Sequence, residues 1–323
     1  MDPITHAVLG AACSQAILYR QDKHNAWLVG GLSAMAPDLD IFIRESGNPM
    51  LFFLYHRYFT HSLIFIPIGA LIITLILLIF KRFQTHWKFT FLAALIGYST
   101  HGMLDACTNY GTVLFWPFSD TRVSWDIVSI VDPFITIPLL LGIISALVFN
   151  KRQPIFIALA LVSLFILFNI VQHHRAMTAF RGELAQLGVN TKKVRVFPKL
   201  LSSTRWRGIA LNKNHLDIIN VLTPLFNESS SQFVTSYPAF SYTELPDYVK
   251  NSSSLLSDFN IFNWFADSYL ITVHNKPLLL ADGRFLADNN ATTALWSIQF
   301  LPTQPHVNIF YLLRVDNDKP NSL

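Results

Sequence analysis

The sequence predicts an all-α polytopic membrane bundle of about six helices, followed by a soluble, β-rich α+β domain. Three observations carry this expectation. Hydrophobic types make up 52 % of the 323 residues and charged types only 14 %, too apolar and charge-poor for an ordinary soluble domain. Four apolar windows, Leu63–Phe80, Thr90–Asn109, Asp132–Asn150 and Pro154–His174, are each long enough to cross a bilayer. From about Arg175 the composition turns mixed and polar. The expected domains are a membrane-embedded helical part over 1–174 and an extracytoplasmic soluble part over 175–323.

Two earlier windows are weaker. Thr5–Tyr19 is short and carries Ser14 and Gln15, and Ala26–Ile43 is punctuated by Gly30, Gly31 and Pro37. These two read either as short spans or as re-entrant helices packed on the stronger four. Their small residues, Gly10, Ala11, Ala12, Gly30, Gly31 and Ala34, would let helices approach closely. The N-terminal stretch Met1–His6 lacks the basic region of a cleavable signal peptide. Insertion is therefore expected to rely on internal helices.

Lys and Arg in short loops set the expected orientation. Arg20 and Lys23 lie in one such loop, Lys81, Arg82 and Lys88 in a second, Lys151 and Arg152 in a third. With six spans these loops share one side, assigned to the cytoplasm. The chain is then expected to be a multi-pass bacterial inner-membrane protein with its second half periplasmic. In that half, Phe180–Leu187 extends a helix, and stretches such as Lys193–Phe197 and Tyr269–Val273 alternate like strands. Pro198, Asn212, Pro224, Asn275-Lys276-Pro277 and Asp282-Gly283 punctuate them as turns. Asn227–Gln232 reads as an exposed loop and Asn317–Leu323 as a frayed tail. Cys13 and Cys107 both lie in apolar segments, with no CxxC motif and no disulfide framework. The net charge of +4 without a long basic run argues against nucleic-acid binding.

The chemistry-bearing residues stand out against this apolar background. His6, Asp38, His56, His61, His101 and Asp105 all fall in or beside apolar segments of the first half. Ionisable groups at membrane depth are costly and usually line a cavity or serve chemistry. Imidazoles and carboxylates are also the ordinary ligands of a catalytic metal. His101 and Asp105 are four apart in a helical window, so they share one face. They would bind one ion together, or Asp105 would orient the imidazole. Alone, such a pair fastens helices about as often. His56 and His61, five apart, converge only if His56 lies in the preceding loop. Arg57 between them has the planar fork that suits a phosphate. Pro37 would fix the turn presenting Asp38, with Asp40 bridging or orienting.

The expected metal ligands are thus His6, Asp38, His56, His61, His101 and Asp105, and the expected catalytic or orienting residues are Asp40, Asp126, Asp132 and Arg57. A His/Asp set favours zinc, with manganese or iron as alternatives. Neither a GxSxG elbow nor a GxxxxGK[ST] loop is present. Metal-activated water is therefore the preferred nucleophile. The aromatic run Trp116-Pro117-Phe118 with Trp125 reads first as an interfacial belt. It would alternatively wall a lipid cleft, where Arg122 would meet a headgroup anion.

Thr5-His6-Ala7, Pro37-Asp38-Leu39-Asp40, His56-Arg57 through Thr60-His61-Ser62, His101 through Asp105, Trp116-Pro117-Phe118 and Asp126 to Asp132-Pro133 together resemble a known family. It is the membrane-bound, metal-dependent hydrolase family often called YdjM-like, described as LexA-regulated in some bacteria. The resemblance covers roughly the first 175 residues, with Trp206-Arg207 as a further shared feature. It implies a bacterial inner-membrane hydrolase. The motif style is also similar, by analogy, to helical zinc-dependent phospholipase C and single-strand nuclease enzymes, which tilts the substrate toward a phosphoester or lipid.

Three functions remain as expectations. The first is a metal-dependent hydrolase cutting an ester or phosphoester at the outer face of the membrane. The second is a transporter or metal-permeation protein, against which the candidates gather near one side and no inverted repeat is evident. The third is a non-catalytic anchor for the outer domain, favoured by a closed four-ligand shell. No protein partner is inferred.

Overall fold

The computed structural model describes residues 1–45 and 47–315. The expected tail Asn317–Leu323 lies outside them. The chain divides into two compact units. One comprises Met1–Phe42, Tyr55–His174 and Phe197–Thr204; the other comprises Ile43–Leu54, Arg175–Val196 and the chain from Arg205 onward.

The first unit is helical. Helix α1 (Pro3–Asp22) starts where Asp2 caps the Thr5 amide and a proline occupies its first turn. Helix α2 (Ala26–Met35) runs directly into a 3-10 segment, η1 (Ala36–Phe42), which opens at Pro37. After the short helix α3 (Leu51–Tyr55), which up to Leu54 belongs to the second unit, single 3-10 turns at Phe59–His61 and Leu63–Phe65 lead into α4 (Ile66–Leu77). The short α5 (Lys81–Gln84) precedes α6 (Trp87–Ala106). Helix α7 (Pro133–Phe149) is capped by Asp132 and closed by Asn150 in the left-handed region, and α8 runs over Gln153–Gln186.

Small residues set the packing of α1, α2 and α6. A Cβ on Gly97 would fall 2.1 Å from the carbonyl oxygen of Gly30, and one on Gly10 would fall 2.4 Å from the Cβ of Ala34. The backbones therefore meet with no side chain between them. The Ser14 and Ser33 hydroxyls then donate to the carbonyls of Ala93 and Ala94 at 2.9 and 2.8 Å. Two apolar clusters complete the unit. One gathers Val8, Ala12, Leu104, Ile135, Leu139 and Ile155, and the other gathers Leu18, Val29, Ala70, Phe83 and Ala94. The three basic loops meet: Arg82 donates to Asn25 and to the His24 carbonyl, and Lys23 reaches Asn150 at 3.4 Å.

The expected six-helix polytopic membrane bundle is corrected by this structure. Among the described residues one helix, α8, is long and apolar enough to cross a membrane. The count rises to two only if the pair Leu51–His61 and Leu63–Leu77, bent by 61°, is taken as one span. The reasons are physical. At 1.5 Å per residue, α4 reaches only about 18 Å and α7 about 26 Å, short of a hydrocarbon core of about 30 Å. Helices α1 and α6 have 20 residues each, but they spend inward positions on His6, Ser14, Gln15, Thr90, His101 and Asp105, all buried. The apolar windows of the sequence were continuous; the helices are not. The multi-pass topology goes with the bundle.

The second unit bears out a β-rich α+β domain. Strands β1 (Lys193–Pro198), β2 (Arg205–Leu211), β3 (His215–Leu222) and β4 (Ser230–Pro238) form one sheet in that order. The C-terminal part of α8 lies on it, with Ala176, Phe180 and Leu184 against Val196, Trp206, Ala210, Ile219 and Val221. The short α9 (Asp247–Lys250) and α10 (Ser253–Phe265) lead to a second meander of β5 (Leu270–Asn275), β6 (Leu278–Asp282), β7 (Thr293–Gln299) and β8 (Asn308–Arg314). Phe53, Phe262, Phe265 and Trp296 interlock edge-on beside it, with Phe53 and Phe265 centroids 4.7 Å apart. Trp206 and Arg207 serve this core. The Trp206 indole donates to Thr223 at 3.0 Å, and the Arg207 guanidinium donates to the Asp288 carbonyl at 2.8 Å.

Candidate metal centre

The short 3-10 segment η1 presents two carboxylates with different tasks. Asp40 is buried and gathers the loop that follows α3. It accepts from His56 Nδ1, the Arg57 amide and the Thr60 hydroxyl, each at 2.9 Å, and faces His61 Nδ1 at 3.3 Å. To offer its amide there, Arg57 takes a φ of 65°, a left-handed conformation that costs energy for any residue but glycine. The Arg57 carbonyl in turn accepts from the Val113 amide at 3.1 Å. One carboxylate thus fixes a strained turn that carries two histidines.

Helix α6 supplies the opposite wall. His101 Nδ1 lies 2.5 Å from the carbonyl oxygen of Ala34 at the end of α2. A carbonyl only accepts, so Nδ1 carries the proton and donates. Its Nε2 then faces inward. It lies 2.9 Å from His61 Nε2, 3.4 Å from Asp38 Oδ1 and 3.4 Å from Asp105 Oδ2. His61 Nε2 stands 3.4 Å from Asp38 Oδ1 and 3.3 Å from Asp105 Oδ2. These four donor atoms lie within 4.8 Å of one another.

The donor set fits a divalent cation. Asp38 Oδ1 and Asp105 Oδ2 are buried and accept no hydrogen bond of good geometry, which is expensive unless a cation meets them. Ligand bonds of about 2.0–2.1 Å in a tetrahedron separate the donors by about 3.3–3.4 Å. Four of the separations above have that value. The fifth, between the two imidazoles, is nearer the 90° edge of a six-coordinate ion, about 3.0 Å for bonds of similar length. The second nitrogen of each imidazole is held as metal-bound histidines usually are, one by a carbonyl and one by a carboxylate.

The electrostatics agree. Burial alone would lower the His61 pKa, but Asp105, Asp38 and Asp40 around it raise it to about 10. The three converging carboxylates thus make this point favourable for a positive charge. Burial would raise Asp38 and Asp40, yet the surrounding imidazoles hold both well below the usual carboxylate range. Burial lowers the His56 pKa, and the neighbouring Arg57 charge lowers it further against the opposing pull of Asp40.

The other predicted residues surround this group. His6 lies with its ring centroid 3.7 Å from that of His101, and its Nε2 is 3.2 Å from Asp105 Oδ1, the oxygen turned away from the four donors. Arg57 Nη1 reaches the same oxygen at 3.3 Å and lies 3.4 Å from the Thr108 hydroxyl. The amino group of Met1 also bonds Asp105. His56 stays on Asp40, its ring centroid 6.2 Å from that of His61. Asp126 bonds Ser124 at 2.9 Å, and Asp132 caps the Phe134 amide at 3.1 Å; neither joins the four donors. Sequence reasoning passed over the Ala34 carbonyl, Thr60 and Tyr98, whose hydroxyl donates to the Thr60 carbonyl at 2.9 Å. Only Thr60 carried a signal, through its place between Arg57 and His61.

A helical unit whose separate segments deliver two imidazoles and two carboxylates to one point defines a protein with a candidate metal centre. The family comparison makes this more particular. Residues 1–176 match the model described as YdjM inner membrane protein, so the chain belongs to that family. It is also similar to a protein of Bacillus subtilis (strain 168) described as uncharacterized protein YfhP, with 30 % identity over 147 residues. That alignment covers 42 % of this chain and 43 % of the relative, less than half the length of each. No solved structure matches the chain.

Proposed function

We propose that the protein is a metal-dependent hydrolase of the inner membrane, cleaving an ester or phosphoester, with Asp38, His61, His101 and Asp105 holding the ion. The observation that supports this most is the pair of buried carboxylate oxygens, Asp38 Oδ1 and Asp105 Oδ2, left without hydrogen bonds opposite two inward imidazole nitrogens. Two imidazoles and two carboxylates suit zinc, with manganese and iron as alternatives. A divalent ion there would lower the pKa of a water molecule and polarise an ester or phosphoryl oxygen.

The chain's own residues define the approach. His61, His101 and Asp105 side chains are fully buried, while the Asp38 side chain is 17 % exposed; substrate therefore arrives past Asp38. Asp40 orients His56 and His61. His6 and Arg57 hold the outer oxygen of Asp105, so that its other oxygen turns inward. The exposed side chains of Leu39 and Phe42 follow Asp38 on the same segment, which suits a substrate with an apolar part.

The membrane reading rests on α8, together with the exposed apolar side chains along α4 and α7. We place α8 across the inner membrane. Lys151 and Arg152 precede it, in the group of basic loops that meet in the first unit, and the positive-inside rule makes that end cytoplasmic. The second unit would then be periplasmic.

The near-tetrahedral separations favour a second reading, a structural ion that fastens α2 to α6. A panel of phosphomonoester, phosphodiester and lipid ester substrates, with zinc or manganese added to metal-depleted protein, separates the two. Hydrolysis that is lost in Asp38→Asn and Asp105→Asn supports the enzyme. Stoichiometric metal without turnover of any substrate supports the structural ion, and metal uptake into vesicles without hydrolysis would support transport.

A further inference from the structure

The first sheet ends in an apolar fringe at the end from which α8 leaves it. In the β2–β3 register Arg205 pairs with Leu222, so the chain enters β2 and leaves β3 at the same end of the sheet. The segment leaving β3 carries Leu225, 58 % exposed, and Phe226, 96 % exposed. A phenylalanine almost wholly in water at a loop tip opposes the ordinary burial of aromatic side chains.

The loop is held rather than loose. Arg175 of α8 donates from Nη1 to the Pro224 carbonyl and from Nη2 to the Asn227 carbonyl, each at 2.8 Å. The two bonds bracket Leu225 and Phe226. Arg175 also follows closely on the apolar stretch of α8. Val171, the last large apolar residue before the polar run Gln172-His173-His174, precedes it by one helical turn. One turn is about 5.4 Å, within the headgroup layer that lies outside a hydrocarbon core of about 30 Å.

We propose that this loop end of the first sheet is a membrane-docking edge. Phe226 and Leu225 enter the lipid headgroup region where α8 emerges, and Arg175 holds the tip in place. The partner is the bilayer surface. The proposal rests on the reading that α8 crosses the membrane.

The test uses the full chain in phosphatidylethanolamine–phosphatidylglycerol vesicles, with Cys13 and Cys107 replaced by alanine. Single cysteines at Phe226, at Leu164 near the middle of the apolar stretch of α8 and at exposed Thr303 carry an environment-sensitive fluorophore. Lipids bearing a nitroxide on the headgroup or deep in the acyl chain act as quenchers. A Phe226→Cys label is expected to emit to the blue of the Thr303→Cys label and to be quenched at least about twofold more by the headgroup nitroxide, as an interfacial anchor should. Quenching at Leu164 by the deep nitroxide, with Phe226 and Thr303 labels equal and unquenched, overturns the docking edge and leaves the span standing. Absence of quenching at Leu164 overturns the span and the docking edge with it. Replacing both Leu225 and Phe226 by serine at these exposed positions should leave folding intact, while a label at exposed Asn227 in the same loop loses part of its headgroup quenching.

Discussion

The Nδ1 of His101 lies 2.5 Å from the carbonyl oxygen of Ala34, and this one bond ties the packing of two helices to the chemistry of the centre. Ala34 lies in the last turn of α2, and His101 sits on α6 one turn after Gly97. The bond exists because Gly30 and Gly97 let the two backbones touch. It fixes the proton on Nδ1 and so leaves Nε2 to face Asp38, His61 and Asp105.

Gly97→Ala should therefore damage the centre from outside it. The added methyl would meet the Gly30 carbonyl at 2.1 Å, and the helices must separate. Overpacking of this kind costs about 1–3 kcal/mol. A lower thermal midpoint in detergent, together with weaker metal retention, is the expected outcome. A variant as stable and as metal-replete as wild type would show that the helix contact does not control the site.

Much of that centre was legible in the sequence, because ionisable residues in apolar segments are conspicuous. His101 and Asp105 share a face by helical spacing alone, and Pro37 announced the turn that carries Asp38. What sequence could not supply was the division of labour. Nothing in His56-Arg57-Tyr58-Phe59-Thr60-His61 says that Asp40 captures His56 while His61 turns inward; that depends on the left-handed Arg57. Gly97 was also missed, since one glycine in a hydrophobic helix has no local meaning until a second backbone is placed against it. The fold failed where hydropathy was read as length. Leu63–Phe80 looks continuous, yet Pro67 opens a helix of only 12 residues. The apolar run over Pro154–His174 extends without a break into one long helix, and among the described residues it is the one single helix that passes as a span.

Asp40→Asn should weaken metal binding without abolishing it. The side chain keeps its shape but loses the charge that orients His56 and His61. Loss of an orienting carboxylate typically costs about 10–100-fold in metal affinity. Competition with a chromogenic chelator measures this; an unchanged affinity would mean that Asp40 does not orient the imidazole ligand.

Asp132 offers a pH test away from the candidate centre. Burial raises its carboxyl from 3.8 to about 6, against the opposing bond from the Phe134 amide. The folded state then binds more protons than the unfolded state between these values, so stability falls as pH rises from about 4 to about 6. Asn caps helices as well as Asp. Asp132→Asn should remove this slope and hold stability level or higher at neutral pH, read as thermal midpoints across the range. An identical pH profile in both proteins would contradict it.

Arg57→Lys should separate a point charge from a planar fork. Lysine keeps the charge beside Asp105 but cannot reach Thr108 and Asp105 with one flat group. If Arg57 only positions Asp105, metal content stays near wild type and hydrolysis falls modestly. A loss of turnover of several orders of magnitude with metal retained would mean that Arg57 touches the substrate.

The decisive quantity is metal content, read by elemental analysis of protein purified without added chelator. Wild type should carry about one divalent ion per chain, as a single four-donor set requires. His101→Ala and Asp105→Asn should carry little, and His56→Ala should keep most of it. Wild-type protein free of metal, or equal metal in wild type and His101→Ala, would contradict a metal centre at these four side chains.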